Sequence, residues 1–150
     1  MSIDKDIHQQ KFRNEHQKAI INIIFTYNWM NERLKIIFDH AGLTGQQFNI
    51  LRILRGSATA LSTLQIRERM LDKMSDTSRI VDRLIIKAYA KKNVCKTDKR
   101  LVDVVITEKG KRVLKKMDSY QDDIDNIFSS LSPAEAKTLN KLLDKIRNSN

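Results

Sequence analysis

The tract KTDKR, residues 96–100, sets Lys96, Lys99 and Arg100 around a single acid, Asp98. Ammonium groups hold phosphates as point charges, and a guanidinium can enter a narrow groove where negative potential concentrates. Asp98 is suited to orienting Arg100 or an arginine elsewhere. The bland alternative is an exposed Asp98–Arg100 bridge, which stabilises a turn only slightly. A second set, Lys73, Ser75, Asp76, Ser78, Arg79 and Arg83, falls within eleven residues. From the first turn of a helix, arginine can give guanine O6 and N7 two parallel hydrogen bonds, while Arg83 would lie nearer to phosphate. Asp76 would either accept from cytosine N4 or favour the positive start of a helix.

Other chemistry finds little support. There is no glycine-rich phosphate loop and no Ser/Cys–His arrangement of recognisable spacing, and Asp122, Asp123 and Asp125 read as a solvated helix face. No catalytic residue is expected, and the chain does not read as an enzyme. His8, His16 and His40 lack ligand spacing, so neither metal nor cofactor is expected. The lone Cys95 reads as a small hydrophobe, with a thiol activated by Lys96 as the second reading. A single cysteine cannot close an internal disulfide and fits a reducing cytoplasm. The apolar cluster AIINIIF at 19–25 is far too short to span a bilayer, and no signal peptide opens the chain.

The net charge of +10 is concentrated. Residues 44–117 hold ten lysines and eight arginines against seven acids, a net of +11, and the rest of the chain carries −1. A basic centre between near-neutral ends fits a polyanion, nucleic acid first.

The elements that must position these groups follow from periodicity. A long amphipathic helix is predicted over 7–40, carrying Ile20, Ile24, Tyr27, Leu34 and Phe38, with Gly42 as its stop. Thr44 and Gln47 form a capping-box pair opening a second helix to about Arg55, and Ser62 and Gln65 repeat it for a third. A turn at 71–73 leads to a fourth helix over 73–89, with Thr77, Ile80, Val81, Leu84 and Ala88 inward. Two helices with a short connection suggest a helix-turn-helix. LVDVVI at 101–106 alternates like a strand and pairs with a poorer run at 91–96. Thr107 caps a fifth helix reaching Phe128, and Ser132-Pro133-Ala134-Glu135 opens the last. The fold class is therefore mainly α with a small β-hairpin: a winged helix-turn-helix flanked by terminal helices.

Within that frame, TDKRLVDVVITEKGKRVL resembles the wing of the MarR family of bacterial transcriptional regulators, with Asp98, Arg100, Val104, Ile106, Thr107 and Gly110 at the marked positions. SRIVDRLIIKAYAKK is similar to that family's recognition helix and TGQQFNILRIL to its second helix. The resemblance covers about 43–117. Ala88 and Tyr89 stand where the family often has glycine and an apolar residue, so a different helix end is expected. Arg67 stands where a small residue is common, and the first helix lacks the cysteine of the redox-sensing members.

The resemblance implies one domain, 1–150, with dimerisation helices at 7–42 and 118–148 around a DNA-binding region at 43–117. It implies a cytoplasmic homodimer on a near-palindromic double-stranded operator, a repressor released by a small-molecule effector. Lys73, Ser75, Asp76, Ser78, Arg79, Arg83, Lys96, Lys99 and Arg100 would meet DNA. Ile20, Ile24, Tyr27, Leu139, Leu143 and Ile146 would join the protomers, and Tyr27, Trp29, Met30 and Arg33 fall in the helix that borders the family's ligand pocket. The competing reading is a winged helix that contacts an acidic protein without DNA specificity.

Overall fold

The computed structural model describes residues 2–94 and 102–148. A single turn, α1 (Ile3–Asp6), buries Ile3, and the chain then turns at His8 with φ 53°. The first long helix, α2 (Glu15–Asp39), begins only after Asn14, whose side chain accepts from the Gln17 N–H at 2.9 Å. The helix expected from residue 7 thus starts eight residues later, because Asn14 offers a cap that apolar spacing does not reveal. Gly42, at φ 63°, turns the chain away from α2.

Thr44 and Gln47 make both bonds of a capping box at the start of α3 (Gly45–Arg55). A two-residue strand, β1 (Leu61–Ser62), leads into α4 (Thr63–Arg69), again opened by a complete capping box, Ser62 with Gln65. Next come α5 (Thr77–Ile86), β2 (Ala90–Val94) and β3 (Val102–Ile106). The strands form one antiparallel sheet in the order β1-β3-β2, pairing Leu61 with Val104 and Ala90 with Ile106. The expected hairpin therefore gains a third strand, too short to show alternation in sequence. Thr107 caps α6 (Glu108–Asp118), and a break at Ser119–Tyr120 separates it from α7 (Gln121–Asn126), where one continuous helix was expected. In α8 (Pro133–Arg147) the cap Ser132 meets Glu135 in a third capping box, whose hydrogen bonds hold the Glu135 carboxyl below its usual range.

One cluster forms the core: Ile37, Phe38, Leu43, Ile50, Leu51, Leu54, Leu61, Ile66, Met70, Ile80, Val81, Leu84, Ala90, Val104, Leu114 and Met117. It starts at the last turn of α2 and ends at α6, so the winged helix-turn-helix folds around its own interior. Helix α8 buries no residue, and α2 buries only Ile37 and Phe38 of its 25. Among the described residues, no helix is long and apolar enough to cross a membrane.

The end of α5 explains the glycine in TEKG. The N–H groups of Tyr89 and Ala88 donate to the carbonyls of Leu84 and Ile85, each at 2.9 Å, the paired bonds of a Schellman turn. That turn requires a left-handed residue, and Ala88 fills it at φ 60°. The Tyr89 carbonyl then accepts from the Thr107 N–H at 3.0 Å, and the Thr107 hydroxyl donates to the Ala88 carbonyl at 2.6 Å. A Cβ on Gly110 would sit 2.2 Å from the Tyr89 oxygen, so only glycine lets α6 approach this closely.

Two substitutions check this corner by thermal melting. Ala88→Gly removes a left-handed alanine and should stabilise by about 1 kcal/mol, raising Tm by about 2–4 °C. Gly110→Ala should destabilise by about 1–3 kcal/mol through overpacking.

Candidate nucleic-acid interface

The turn between α4 and α5 runs from Met70 to Asp76 and is longer than the three residues expected. Side-chain bonds fix its backbone. Asn49 Oδ1 accepts from the Leu71 N–H at 3.0 Å, Asp72 Oδ1 accepts from the Met74 N–H at 3.0 Å, and Gln46 Nε2 donates to Asp72 Oδ2 at 3.1 Å. Helix α5 then presents two faces. Thr77, Ile80, Val81 and Leu84 are buried, while Ser78, Arg79, Asp82 and Arg83 are exposed.

The expected contact residues separate into groups. Ser78, Arg79 and Arg83 lie on the solvent face of α5, as the helical spacing predicts. Asp76 is the helix cap, its Oδ1 accepting from the Arg79 N–H at 3.2 Å. Ser75 does not sit in the first turn of the helix. It is buried, and its hydroxyl donates to the Asp72 carbonyl at 2.8 Å. Lys73 is also outside the helix, and its Nζ donates to the Glu68 carbonyl. Lys96, Asp98, Lys99 and Arg100, together with Cys95, lie outside the described residues.

Sequence reasoning missed Arg67 and Arg69 on α4. Both are exposed, and Arg67 lines a cleft of about 540 Å³ with Thr63, Leu64, Met74, Asp76 and Ser78. Among the described residues, the side chains of Arg67, Arg69, Arg79 and Arg83 make no ion pair. Other cations of the basic centre hold the fold together. Lys87 Nζ donates to the Gly42 carbonyl at 2.7 Å, Lys109 Nζ to the Lys87 carbonyl at 3.1 Å and Lys116 Nζ to the His40 carbonyl at 2.9 Å. Lys92 on β2 pairs with Asp82 on α5 at 2.6 Å and so ties the wing to the helix.

The terminal helices leave apolar side chains uncovered: Ile20 is 59% exposed, Ile24 56%, Tyr27 58% and Ile146 58%. Leu139 and Leu143 are half-buried. The Arg33 guanidinium stacks 3.8 Å from the Trp29 ring centre, and its Nη1 donates to the Trp29 carbonyl at 3.2 Å. Neither residue, nor Tyr27 or Met30, borders the apolar cleft of about 310 Å³ between α2 and the start of α3, which Leu34, Phe38, Leu43 and Thr44 line. Among the described residues no group of three or more His, Cys, Asp and Glu side chains is placed to hold a metal ion.

Solved structures overlay nearly the whole chain. A MarR variant from E. coli complexed with operator DNA superposes with a TM-score of 0.80 at 22% identity, covering 91% of this chain and 99% of its own. The fold is that of the MarR regulators. Sco3205 from Streptomyces coelicolor, a MarR family transcriptional regulator in complex with DNA, gives 0.78 at 20% identity over 91% of this chain and 89% of its own. BpsR of Bordetella bronchiseptica, solved in work on regulation of its DNA binding by 6-hydroxynicotinic acid, gives 0.77 at 21% identity over 87% and 99%. No family model and no curated protein matches the sequence itself. The MarR fold puts α4 and α5 in the positions of a helix-turn-helix and the three-stranded sheet in that of its wing.

The cap bond assigns Asp76 a structural task that can be measured. Asp76→Ala should lower stability by about 1 kcal/mol, whereas Asp76→Asn or Asp76→Ser, which keep an acceptor, should stay within a few tenths. Chemical denaturation of the three variants checks this.

Proposed function

We propose that this chain is a dimeric, sequence-specific DNA-binding transcriptional regulator. The observation that carries the reading is the solvent face of α5, where Ser78 and Arg79 in the first turn and Arg83 in the last stand exposed, the two arginines without an ion-pair partner among the described residues. Arginines without an intramolecular partner lose little when they move to phosphates or guanine edges, and a helix N-terminus favours the same anions. Arg67 and Arg69 extend the positive surface along α4. Lys96, Lys99 and Arg100 would extend it along the wing, with Asp98 orienting Arg100.

Pairing of protomers is supported by the uncovered Ile20, Ile24, Tyr27, Leu142 and Ile146 on two helices of which only Ile37 and Phe38 are fully buried within their own chain. Two copies would carry two α5 helices onto half-sites about one helical turn apart. Occupying an operator in this way would repress by obstruction. A small-molecule effector that releases DNA, as the regulation of BpsR suggests, fits the apolar cleft between α2 and α3 better than the neighbourhood of Trp29 and Arg33.

Selection of bound sites from random duplex DNA by the purified protein tests the reading, and a near-palindromic consensus is the expected result. Binding to that site should weaken steeply with salt, with a log–log slope near about −7 if about eight phosphates are neutralised. Arg79→Ala should weaken it at least about fivefold. A slope near zero without any consensus would leave the acidic-protein reading. For the dimer, light scattering should give twice the 17.5 kDa chain mass. Ile24→Asp, which would bury a carboxylate at the joint, should return the mass of one protomer.

A further inference from the structure

The cleft beside α5 mixes charge with bare hydrocarbon. Met74 is 92% exposed and Leu64 63%, and both line it with Arg67, Asp76 and Ser78. Leu71, in the same turn, is 87% exposed. Single exposed apolar residues are commonplace, but three on and beside one turn, next to Arg67, which makes no ion pair among the described residues, form a patch of definite chemistry. The backbone that projects two of them is rigid, since the N–H groups of Leu71 and Met74 are both held by side-chain oxygens at 3.0 Å.

We propose that Met74 and Leu64 contact the C5-methyl groups of thymines in the major groove, so that each half-site of the operator carries thymine beside the base pairs read by Ser78 and Arg79. The inference rests on the regulator reading above. Its occupant follows from the surroundings. Protein interfaces deplete charge at their apolar centre, whereas this patch is bordered by Arg67 and a helix start, which fit a polyanion. Of the four bases only thymine shows an apolar group in the major groove, where a side chain can bury it. A long, unbranched methionine can settle against such a methyl without demanding a fixed rotamer. Asp76, tied to its cap, stays beside the contact without reaching for phosphate.

The test uses the full-length protein and the duplex selected from random DNA, with deoxyuridine replacing thymidine one position at a time. This exchange removes a methyl group and leaves every hydrogen-bonding group in place. At one or more positions in each half-site, uridine should weaken binding about threefold to fivefold. Met74→Ala or Leu64→Ala should bind the thymine duplex more weakly and erase the uridine penalty at its own position. Both side chains are exposed, so neither change threatens the core. The inference is overturned if every uridine duplex binds like the parent, or if both variants keep the full penalty. Failure to select any duplex would overturn the regulator reading itself, and this inference with it.

Discussion

The carbonyl of Tyr89 is the point on which the arrangement turns. It accepts from Thr107 where the sheet returns, and Gly110 packs against it where no side chain could stand. Through this contact the end of α5, the last residue of β3 and the first turn of α6 share one corner. Thr107 adds two bonds of its own, capping α6 through the Gly110 N–H and reaching back to the Ala88 carbonyl. Without this corner, α5 and the sheet could shift independently of each other. Backbone hydrogen bonds and steric exclusion set that spacing here, and the Asp82–Lys92 pair reinforces it from the solvent side.

Much of this was legible in the residues. Capping needs particular side chains at particular offsets, and Thr44, Ser62, Thr107 and Ser132 each cap the helix expected of them. The strand at 102–106 announced itself by alternation because one of its faces, at Val104, meets the core. The misses have physical causes as well. Helix α5 was expected to begin at residue 73 because Lys73, Met74 and Ser75 tolerate a helix, but the local bond from the Met74 N–H to Asp72 makes a turn there, and Asn49 and Gln46 fix it by tertiary contact. The break at Ser119–Tyr120 falls between Met117 and Ile124, which still keep helical spacing. Neither β1 nor the start of α2 has enough residues of one period to be seen.

The exposure of the candidate residues was legible in part for the same reason. Periodicity tells which face of α5 is dry, and hence that Ser78, Arg79 and Arg83 are wet. It cannot tell that the outer side of α4 lines one cleft with Ser78, so Arg67 was missed. Nor does a count of cations distinguish those that hold carbonyls, such as Lys87, Lys109 and Lys116, from those that have no ion-pair partner among the described residues. The excess charge of the central region is therefore divided between architecture and surface.

One feature of the terminal helices reaches beyond geometry. Helix α8 has fifteen residues and not one of them is buried by its own chain. A helix of that length is marginal in water by itself. Within the chain it is covered only along Ala136, Leu139 and Leu143, which are half-buried. If the proposed pairing covers the rest, its order becomes linked to that association and so obeys mass action. The order of this terminal helix, unlike that of the central core, would then vary with protein concentration.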